Sequence, residues 1–207
     1  MRSSRVHIRT ALVSGFFLLA TISAFADDAL YYSCRSCHEA DGSGNEAVGA
    51  PAIAGMNAKY IATQMRKFRD GIRGASIDDL PGRQMNLIAS LISDDAEIDA
   101  IADFVAAMGA SLRPRTINID IQSGADLFAP CAACHGDRGA GNEALAAPAI
   151  AELDDWYIRS QLQQFRDGSR GSHPDDHTGA QMKAAVAGLS DENILVLSAY
   201  TAALHQE

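Results

Sequence analysis

The chain has 207 residues, of which 47% are apolar, 21% are charged and four are cysteine. Its mean hydropathy is −0.05 and its formal net charge is −9 at pH 7. These values indicate a soluble, globular, acidic protein, and they exclude a collagen, a coiled coil and a disordered tail. The negative charge disfavours nucleic acid and anionic lipid surfaces as partners.

The N-terminus has the pattern of a secretory signal peptide. Three arginines precede an apolar stretch over residues 11–20, and a small-x-small triplet follows at residues 24–26. The apolar stretch is too short to span a bilayer. We therefore predict a signal peptide over residues 1–26, export to the periplasm and no stable membrane insertion. Removal of this segment takes away three arginines and no acid, which moves the formal charge from −9 to −12.

Two cysteine motifs of identical form follow. Residues 34–38 and residues 131–135 both read Cys-x-x-Cys-His. In this spacing two thiols one helical turn apart each add to a vinyl group of one haem, and the next histidine becomes the proximal ligand of the iron. We therefore predict two covalently bound c-type haems. The predicted attachment residues and proximal ligands are Cys34, Cys37, His38, Cys131, Cys134 and His135.

Other cysteine chemistry would use the same residues. A thioredoxin-like dithiol needs a strand before the motif and no histidine, and a four-cysteine zinc site needs the two motifs to meet in space. Two periplasmic disulfides are a further alternative. Two complete motifs in an exported chain that has no other cysteine favour haem attachment.

The motifs belong to a tandem repeat with an offset of 97 positions. The segment Ala-Pro-Ala-Ile-Ala stands at residues 50–54 and again at 147–151, and Phe-Arg-Asp-Gly stands at 68–71 and again at 165–168. A repeat of this length in only two copies predicts two like domains and not a solenoid of short units.

Apolar residues recur at helical spacing in both copies, which predicts an all-α fold class. Asn57 and Asp154 stand at matching positions where each would cap a helix. The last helix of each copy is predicted to start at an acidic cap, within residues 93–95 or 190–192, where the helix dipole favours negative charge.

Aromatic residues mark where the terminal helices of each copy should cross. Tyr31 and Phe128 stand before the two motifs, and Phe104 and Tyr200 stand in the last helices. The last pair is 96 positions apart, because the repeat slips by one near its end. We expect these side chains to pack in the two cores.

A break separates the copies. Glycine, serine and proline occur between residues 109 and 115, and isoleucine alternates with polar residues from 117 to 121 without a partner strand nearby. We expect an extended linker on a domain surface. The predicted divisions are a signal peptide at 1–26, an N-terminal domain at 27–110, a linker at 111–122 and a C-terminal domain at 123–207.

The distal axial ligand decides whether each haem carries electrons or keeps an open position. Met85 maps onto another methionine, Met182, at the offset of 97, whereas Met56, Met65 and Met108 map onto leucines and fit ordinary core positions. We predict Met85 and Met182 as the distal ligands, each in a glycine-containing loop.

Histidine is the competing distal ligand. After the predicted signal peptide, the N-terminal copy contains no histidine besides His38, which favours histidine–methionine ligation there. The C-terminal copy contains His173 and His177 shortly before its repeated methionine, and we expect both to be exposed loop residues.

The proximal histidines should have a hydrogen-bond partner that sets the ring tautomer. The backbone carbonyls of Pro51 and Pro148, 13 residues after each histidine, are the predicted acceptors. Four arginines also recur, and each is a candidate partner for a haem propionate or an ordinary surface charge. They are Arg69, Arg73, Arg166 and Arg170.

The motifs, the Ala-Pro-Ala-Ile-Ala segments, the Phe-Arg-Asp-Gly-x-Arg-Gly segments and the repeated methionine together resemble cytochrome c4. This family consists of dihaem electron carriers built from two tandem class I cytochrome c domains, and the resemblance covers essentially the whole predicted mature chain. It implies pseudo-two-fold symmetry, haems near the domain interface, and axial ligation by His38 with Met85 and by His135 with Met182. It also implies electron delivery from a quinol-oxidising complex to a terminal oxidase or reductase.

The copies differ beside the repeated methionines. Arg83 faces Ala180 in the alignment, and Pro81 faces Thr178. Different local charge and solvent access predict unequal reduction potentials for the two haems.

The predicted function is therefore periplasmic electron transfer without bond chemistry of its own. The expected partners are membrane respiratory complexes or periplasmic redox proteins, and the expected state is a monomer or weak dimer. An alternative is a dihaem subunit of an enzyme complex such as a flavocytochrome sulfide dehydrogenase, which should expose a large apolar docking face. A dihaem peroxidase or thiosulfate-oxidising enzyme would need one haem without methionine, and the repeated methionine pair argues against it.

Overall fold

The computed structural model describes residues 29–110 and 114–204, and the predicted signal peptide lies outside them. Within these ranges the chain is helical, with two isolated β-bridges and no strand. The predicted all-α fold class is confirmed. No helix among the described residues combines the length and the apolar character that a membrane crossing requires.

The same order of helices occurs twice. The N-terminal half contains α1 (Arg35–His38), α2 (Ala58–Arg69), α3 (Leu80–Ala89) and α4 (Asp95–Ala107). The C-terminal half contains α5 (Gly124–His135), α6 (Asp155–Asp167), α7 (His177–Val186) and α8 (Asp191–Ala203). A short 3-10 helix follows each cysteine motif, at Glu46–Val48 and at Glu143–Leu145.

The slip in the repeat is visible in the last helices. The first residues of α4 and α8 are 96 positions apart, whereas those of α2 and α6 are 97 apart. The ring centroids of Tyr31 and Phe104 lie 5.7 Å apart, and those of Phe128 and Tyr200 lie 5.8 Å apart. The predicted crossing of the terminal helices is confirmed in both halves.

The two predicted caps of α2 and α6 have different outcomes. The side chain of Asn57 accepts the N–H of Tyr60, as predicted. Asp154 is also the N-cap residue of its helix, so the predicted matching position is confirmed, but its side chain makes no capping hydrogen bond to that helix. Its carboxylate instead accepts the N–H of Ala52 in the other half, at 3.1 Å. The carboxylate of Asp154 thus makes a contact between the halves in place of a capping hydrogen bond.

Each half has its own apolar core, and one methionine lies between them. Met65 is buried in the N-terminal core, and Met108 packs against the same core, as predicted for both. Met56 also packs against this core, and it contacts Leu153 and Ile158 of the C-terminal half. Met56 therefore contributes apolar contact between the two halves as well as to its own.

The described part of the linker lies along the C-terminal half. The N–H groups of Thr116 and Ile117 and the hydroxyl of Thr116 donate to the carboxylate of Asp155, each at 2.7 Å. Asp155 is the first residue of α6 and is only 1% exposed. The linker is thus held as an extended segment by one buried acid, which the isoleucine alternation does not reveal.

Replacing Asp155 with alanine leaves the donors of Thr116 and Ile117 without their acceptor. We expect the free energy of unfolding of the haem-loaded protein to fall by about 2 kcal/mol, because hydrogen bonds to a charged group contribute about 1.5–3 kcal/mol. Urea unfolding followed by circular dichroism measures this change. Asp120→Ala is the control, since Asp120 is exposed in the same linker and accepts one N–H, from Gln122. Equal losses in the two variants would contradict the anchoring role.

Candidate haem sites

The cysteine motifs lie at helix positions that present both thiols along one side. His38 ends α1, for which Cys34 is the N-cap residue, and His135 ends α5, whose last turn holds Cys131 and Cys134. The first cysteine of each motif, Cys34 or Cys131, is half-buried, and the second is exposed. Residues three apart on a helix are neighbours on its surface, which suits attachment to the two vinyl groups of one haem.

The structure does not favour the other uses of these cysteines. Residues 29–33, before the first motif, form a helical segment and a turn, and the residues before the second motif belong to α5, so the strand that a thioredoxin-like dithiol needs is missing from this part of the described chain. The four thiols are unpaired in the structure. Across residues 29–110 and 114–204, histidine, cysteine and acidic side chains form no group of three or more that could hold a metal ion. The two motifs are therefore separate sites.

Both proximal histidines are buried and make the predicted hydrogen bond. Nδ1 of His38 lies 2.8 Å from the carbonyl oxygen of Pro51, and Nδ1 of His135 lies 2.9 Å from that of Pro148. A carbonyl only accepts, so Nδ1–H donates in each case and the lone pair is on Nε2. Burial lowers the pKa of His38, although the bond to Pro51 opposes this in part. A neutral imidazole with a free Nε2 is the form that binds iron.

Close backbone packing brings each proline to its histidine. Gly44 and Gly141 donate their N–H groups to the carbonyls of His38 and His135, at 3.1 and 2.8 Å. Both glycines have φ near +80°, and a β-carbon on either would overlap the backbone of the segment that follows the proline. Glycine is required because the segment after the histidine and the segment after the proline are in direct backbone contact.

The repeated methionines lie on helices and not in loops. Met85 is the sixth residue of α3 and Met182 is the sixth residue of α7, and both side chains are half-buried. The expectation of a glycine-containing loop is therefore wrong, although the equivalence of the two positions holds. Each methionine is placed by a helix of ten residues.

An aspartate at the start of each helix explains why the glycine is helical. Asp79 accepts the N–H of Gly82, and Asp176 accepts the N–H of Gly179, both at 2.9 Å. These are N-cap bonds, which stabilise a helix start. A β-carbon on either glycine would overlap the capping carboxylate, so glycine makes room for the cap. The pair recurs at the offset of 97, and aspartate three residues before glycine is the sequence signal that would have predicted a capped helix.

Two of the four recurring arginines have the ordinary surface role. Arg69 pairs with Asp95 at 2.6 Å, and Arg166 pairs with Asp191 at 2.8 Å. Both acids lie in the first turn of the last helix of their half and are mostly exposed. These arginines are engaged in surface ion pairs at the edge of each domain.

The other two arginines form a buried polar cluster between the halves. Arg73 donates to Gln64 at 2.8 Å and to the hydroxyl of Tyr157 at 2.9 Å. Arg170 donates to Gln64 at 3.0 Å, and its other contacts mirror those of Arg73 about the pseudo-two-fold axis. We call this set the arginine cluster; its members are Tyr60, Gln64, Arg73, Tyr157, Gln161 and Arg170.

The arginine cluster contains an unused donor. Arg73 and Arg170 stack on Phe68 and Phe165, each with 4.4 Å between the guanidinium carbon and the ring centroid. Nε of Arg73 is buried and has no hydrogen-bond partner among the described residues. A buried cationic donor without a partner suits an anionic group such as a haem propionate. With the neutral histidines, the thiols and the thioethers, this donor set fits two c-type haems.

His173 and His177 are exposed or partly exposed, as the sequence predicts, but only His173 lies in a loop. The imidazole of His173 is partly exposed, and its Nδ1 accepts the N–H of Asp175. His177 is exposed and begins α7, so it is at the helix start and not in a loop. Neither is buried like the two proximal histidines.

The fold and the two sites define a tandem protein of two c-type cytochrome domains. The family model for cytochrome c matches residues 25–109 and again residues 121–204. The chain therefore belongs to the cytochrome c family and, within it, to the dihaem cytochromes c4.

Individual relatives agree with this assignment. The chain is 32% identical over 187 residues to the thiosulfate dehydrogenase electron acceptor of Stutzerimonas stutzeri, with 84% of this chain and 80% of the relative covered. It is 28% identical over 184 residues to cytochrome c4 of Azotobacter vinelandii, with 83% and 84% covered.

Solved structures share the fold. Reduced cytochrome c4 from Pseudomonas stutzeri matches with a TM-score of 0.67 at 24% identity, and the match covers 86% of this chain and 96% of that one. Thiosulfate dehydrogenase TsdBA from Marichromatium purpuratum matches with a TM-score of 0.66 at 30% identity, and the match covers 82% of this chain and 36% of that one. The protein thus carries two covalent c-type haems and transfers electrons.

Arg73→Gln tests the arginine cluster. The substitution removes the cationic donor of the Tyr157 hydroxyl and one of the two arginine donors of Gln64. We expect the free energy of unfolding to fall by about 2 kcal/mol, as hydrogen bonds to charged groups are worth about 1.5–3 kcal/mol. Arg69→Gln is the matched control on the surface, where exposed ion pairs contribute little. Urea unfolding of both haem-loaded variants is the measurement, and a loss in Arg69→Gln as large as in Arg73→Gln would count against a structural role for the cluster.

Proposed function

We propose that this protein is a periplasmic electron carrier that moves electrons from a quinol-oxidising complex to a terminal oxidase or reductase. In this proposal His38 and Met85 are the axial pair of the N-terminal haem, and His135 and Met182 are that of the C-terminal haem. The observation that supports it most is the equivalence of Met85 and Met182, which occupy the same position of two capped helices.

The residues of the chain would hold each haem in a fully coordinated state. A c-type haem supplies a reversible one-electron change at its iron, and a thioether ligand favours the reduced form. The bond from each proximal histidine to its proline carbonyl keeps Nε2 as the ligating nitrogen. With histidine on one side and methionine on the other, no position remains for a substrate. The protein then takes up and passes on electrons without chemistry on a second molecule.

The contacts between the halves support transfer within the molecule. The arginine cluster is buried between the domains, and Met56 adds apolar contact. Polar and apolar contacts therefore both join the two domains at one interface. A fixed separation between two redox sites suits repeated electron exchange.

Optical spectra of Met85→Ala and Met182→Ala test the axial assignment. We expect two haems per chain in the oxidised wild type and a weak near-infrared sulfur-to-iron band, of which each variant loses about half, because each haem has one methionine ligand. Met65→Leu is the control, since Met65 is a buried core residue whose equivalent is Leu162. A high-spin haem in the wild type, or a band that Met182→Ala leaves unchanged, would overturn the assignment.

A second candidate function is electron acceptance from a thiosulfate-oxidising dehydrogenase. It is supported by the named function of the relative from Stutzerimonas stutzeri and by the structural match to TsdBA. It is related to the alternative given in the sequence analysis, a dihaem subunit of an enzyme complex, because in both cases the protein exchanges electrons with one particular enzyme. Such a protein needs a docking face, and the structure has a candidate.

An exposed apolar surface lies on the N-terminal domain alone. Five of the eight large hydrophobic side chains that are exposed in the described chain fall within residues 77–91, around α3. They are Ile77, Leu80, Leu87, Ile88 and Leu91. Their equivalents at the offset of 97 are proline, histidine, two alanines and glycine. We call these five residues the α3 apolar surface, and such a surface is typical of an interaction site.

The double variant Leu87→Ala, Ile88→Ala gives two of the five positions of the α3 apolar surface the residues of their C-terminal equivalents. If docking uses this surface, we expect the rate of reduction by a purified thiosulfate dehydrogenase with thiosulfate to fall by about tenfold, since two side chains leave the contact. Stopped-flow absorbance at the reduced haem band is the measurement.

Leu145→Ala is the matched control, because Leu145 is an exposed leucine of the C-terminal domain. No reduction of the wild type by this dehydrogenase, together with fast reduction by respiratory membranes and a quinol, would favour the first function over the second.

A further inference from the structure

The two halves each reach across the interface to the helix start that precedes the other's methionine. Nζ of Lys67, on α2, lies 2.6 Å from Oδ1 of Asp176, which caps α7. Nε2 of Gln164, on α6, lies 3.0 Å from Oδ1 of Asp79, which caps α3. Lys67 and Gln164 stand at the offset of 97, so they are equivalent residues with different chemistry.

The contact made by Lys67 is the stronger of the two. It joins a cation to a carboxylate, and both side chains are well buried, at 14% and 3% exposed. The ammonium also donates to the hydroxyl of Thr178, at 2.8 Å. Proline occupies the equivalent position in the N-terminal half, at Pro81, and it offers no side-chain acceptor. Charge-assisted hydrogen bonds of this kind are about twice as strong as neutral ones.

The contact made by Gln164 is weaker and incomplete. A neutral amide donates to Asp79, and Oε1 of the same amide is buried without a hydrogen-bond partner in the described chain. One hydrogen bond from an uncharged donor thus replaces the ion pair and the hydroxyl bond of the other half. The start of α3 is held across the interface less firmly than the start of α7.

Asp176 connects Lys67 to the start of α7. Burial by itself raises the pKa of Asp176, but the hydrogen bonds from Lys67 and from the N–H of Gly179 lower it overall, so the carboxylate is charged at neutral pH. The same oxygen binds the lysine and the helix N–H. A β-carbon on Gly171 would overlap the carbonyl of Gly179, which shows that the first turn of α7 is packed directly on the preceding chain. The helix is therefore held as a unit.

We propose that Lys67 is a positioning residue that holds α7 through Asp176 and Thr178, so that Met182 resists displacement from the C-terminal haem more strongly than Met85 resists displacement from the N-terminal haem. The proposal rests on the axial assignment in the proposed function. The N-terminal domain thereby controls the distal ligand of the C-terminal haem, and the reverse control is weak.

Displacement of methionine by added imidazole tests this directly. In oxidised Met85→Ala the near-infrared band reports Met182 alone, and in oxidised Met182→Ala it reports Met85 alone. Lys67→Gln installs the residue that already stands at the equivalent position. We expect it to increase the affinity for imidazole about tenfold at the site of Met182, because it removes a buried charge-assisted bond, and to leave the site of Met85 unchanged.

Two further lysine variants separate positioning from charge. Lys59→Gln removes the same charge from an exposed residue of the same helix, and we expect no change in imidazole affinity at either site. Lys67→Arg retains the ion pair, and we expect it to restore most of the wild-type resistance. Haem content and circular dichroism confirm that each variant is folded.

The reciprocal variant transfers the contact. Gln164→Lys combined with Pro81→Thr gives the N-terminal half the residues that hold α7, and we expect imidazole affinity at the site of Met85 to fall several-fold. The proposal is overturned if Lys67→Gln leaves affinity unchanged at the site of Met182, or raises it equally at both sites. Absence of the near-infrared band from the wild type would instead reject the methionine assignment, and with it the proposed function.

Discussion

The hydrogen bond from each buried proximal histidine to a proline carbonyl is the interaction on which the rest of the structure depends. It joins the end of the motif helix to a segment 13 residues later, and it engages Nδ1 so that Nε2 is the ring nitrogen without this contact. The segment it holds continues into the interface, because the residue after Pro51 is Ala52, whose N–H donates to Asp154 of the other half. On the N-terminal side, the carbonyl that accepts from His38 and the N–H that donates to the other half therefore belong to consecutive residues, Pro51 and Ala52.

Some contacts at the interface repeat between the two copies, and others differ between them. Arg73 and Arg170 each reach a tyrosine and a glutamine of the other half, so the arginine cluster obeys the pseudo-two-fold relation. Lys67 and Gln164 do not obey it. Both kinds of contact involve α2 and α6. The arginines donate to tyrosines and glutamines of these two helices, whereas Lys67 and Gln164 extend from them to the starts of α7 and α3.

The two haem sites are equivalent in the repeat, but the helices that carry their methionines have different surroundings. The C-terminal methionine helix is held by an ion pair, whereas the N-terminal one is held by an amide and presents the α3 apolar surface to solvent. Ligand stability and solvent access both influence the potential of a haem.

Local patterns in the sequence determined the chemistry of the sites and most of the fold. The motif spacing, the offset of 97, the slip to 96 at Phe104 and Tyr200, and the proline acceptors all follow from short-range geometry or from comparison of the copies. The tertiary structure alone decided that Asp154 and Lys67 serve the opposite half, and that Arg73 is buried while Arg69 is at the surface. The reason is that a helical period records which face of a helix is apolar, whereas a hydrogen bond between residues 102 or 109 positions apart depends on how two finished domains pack.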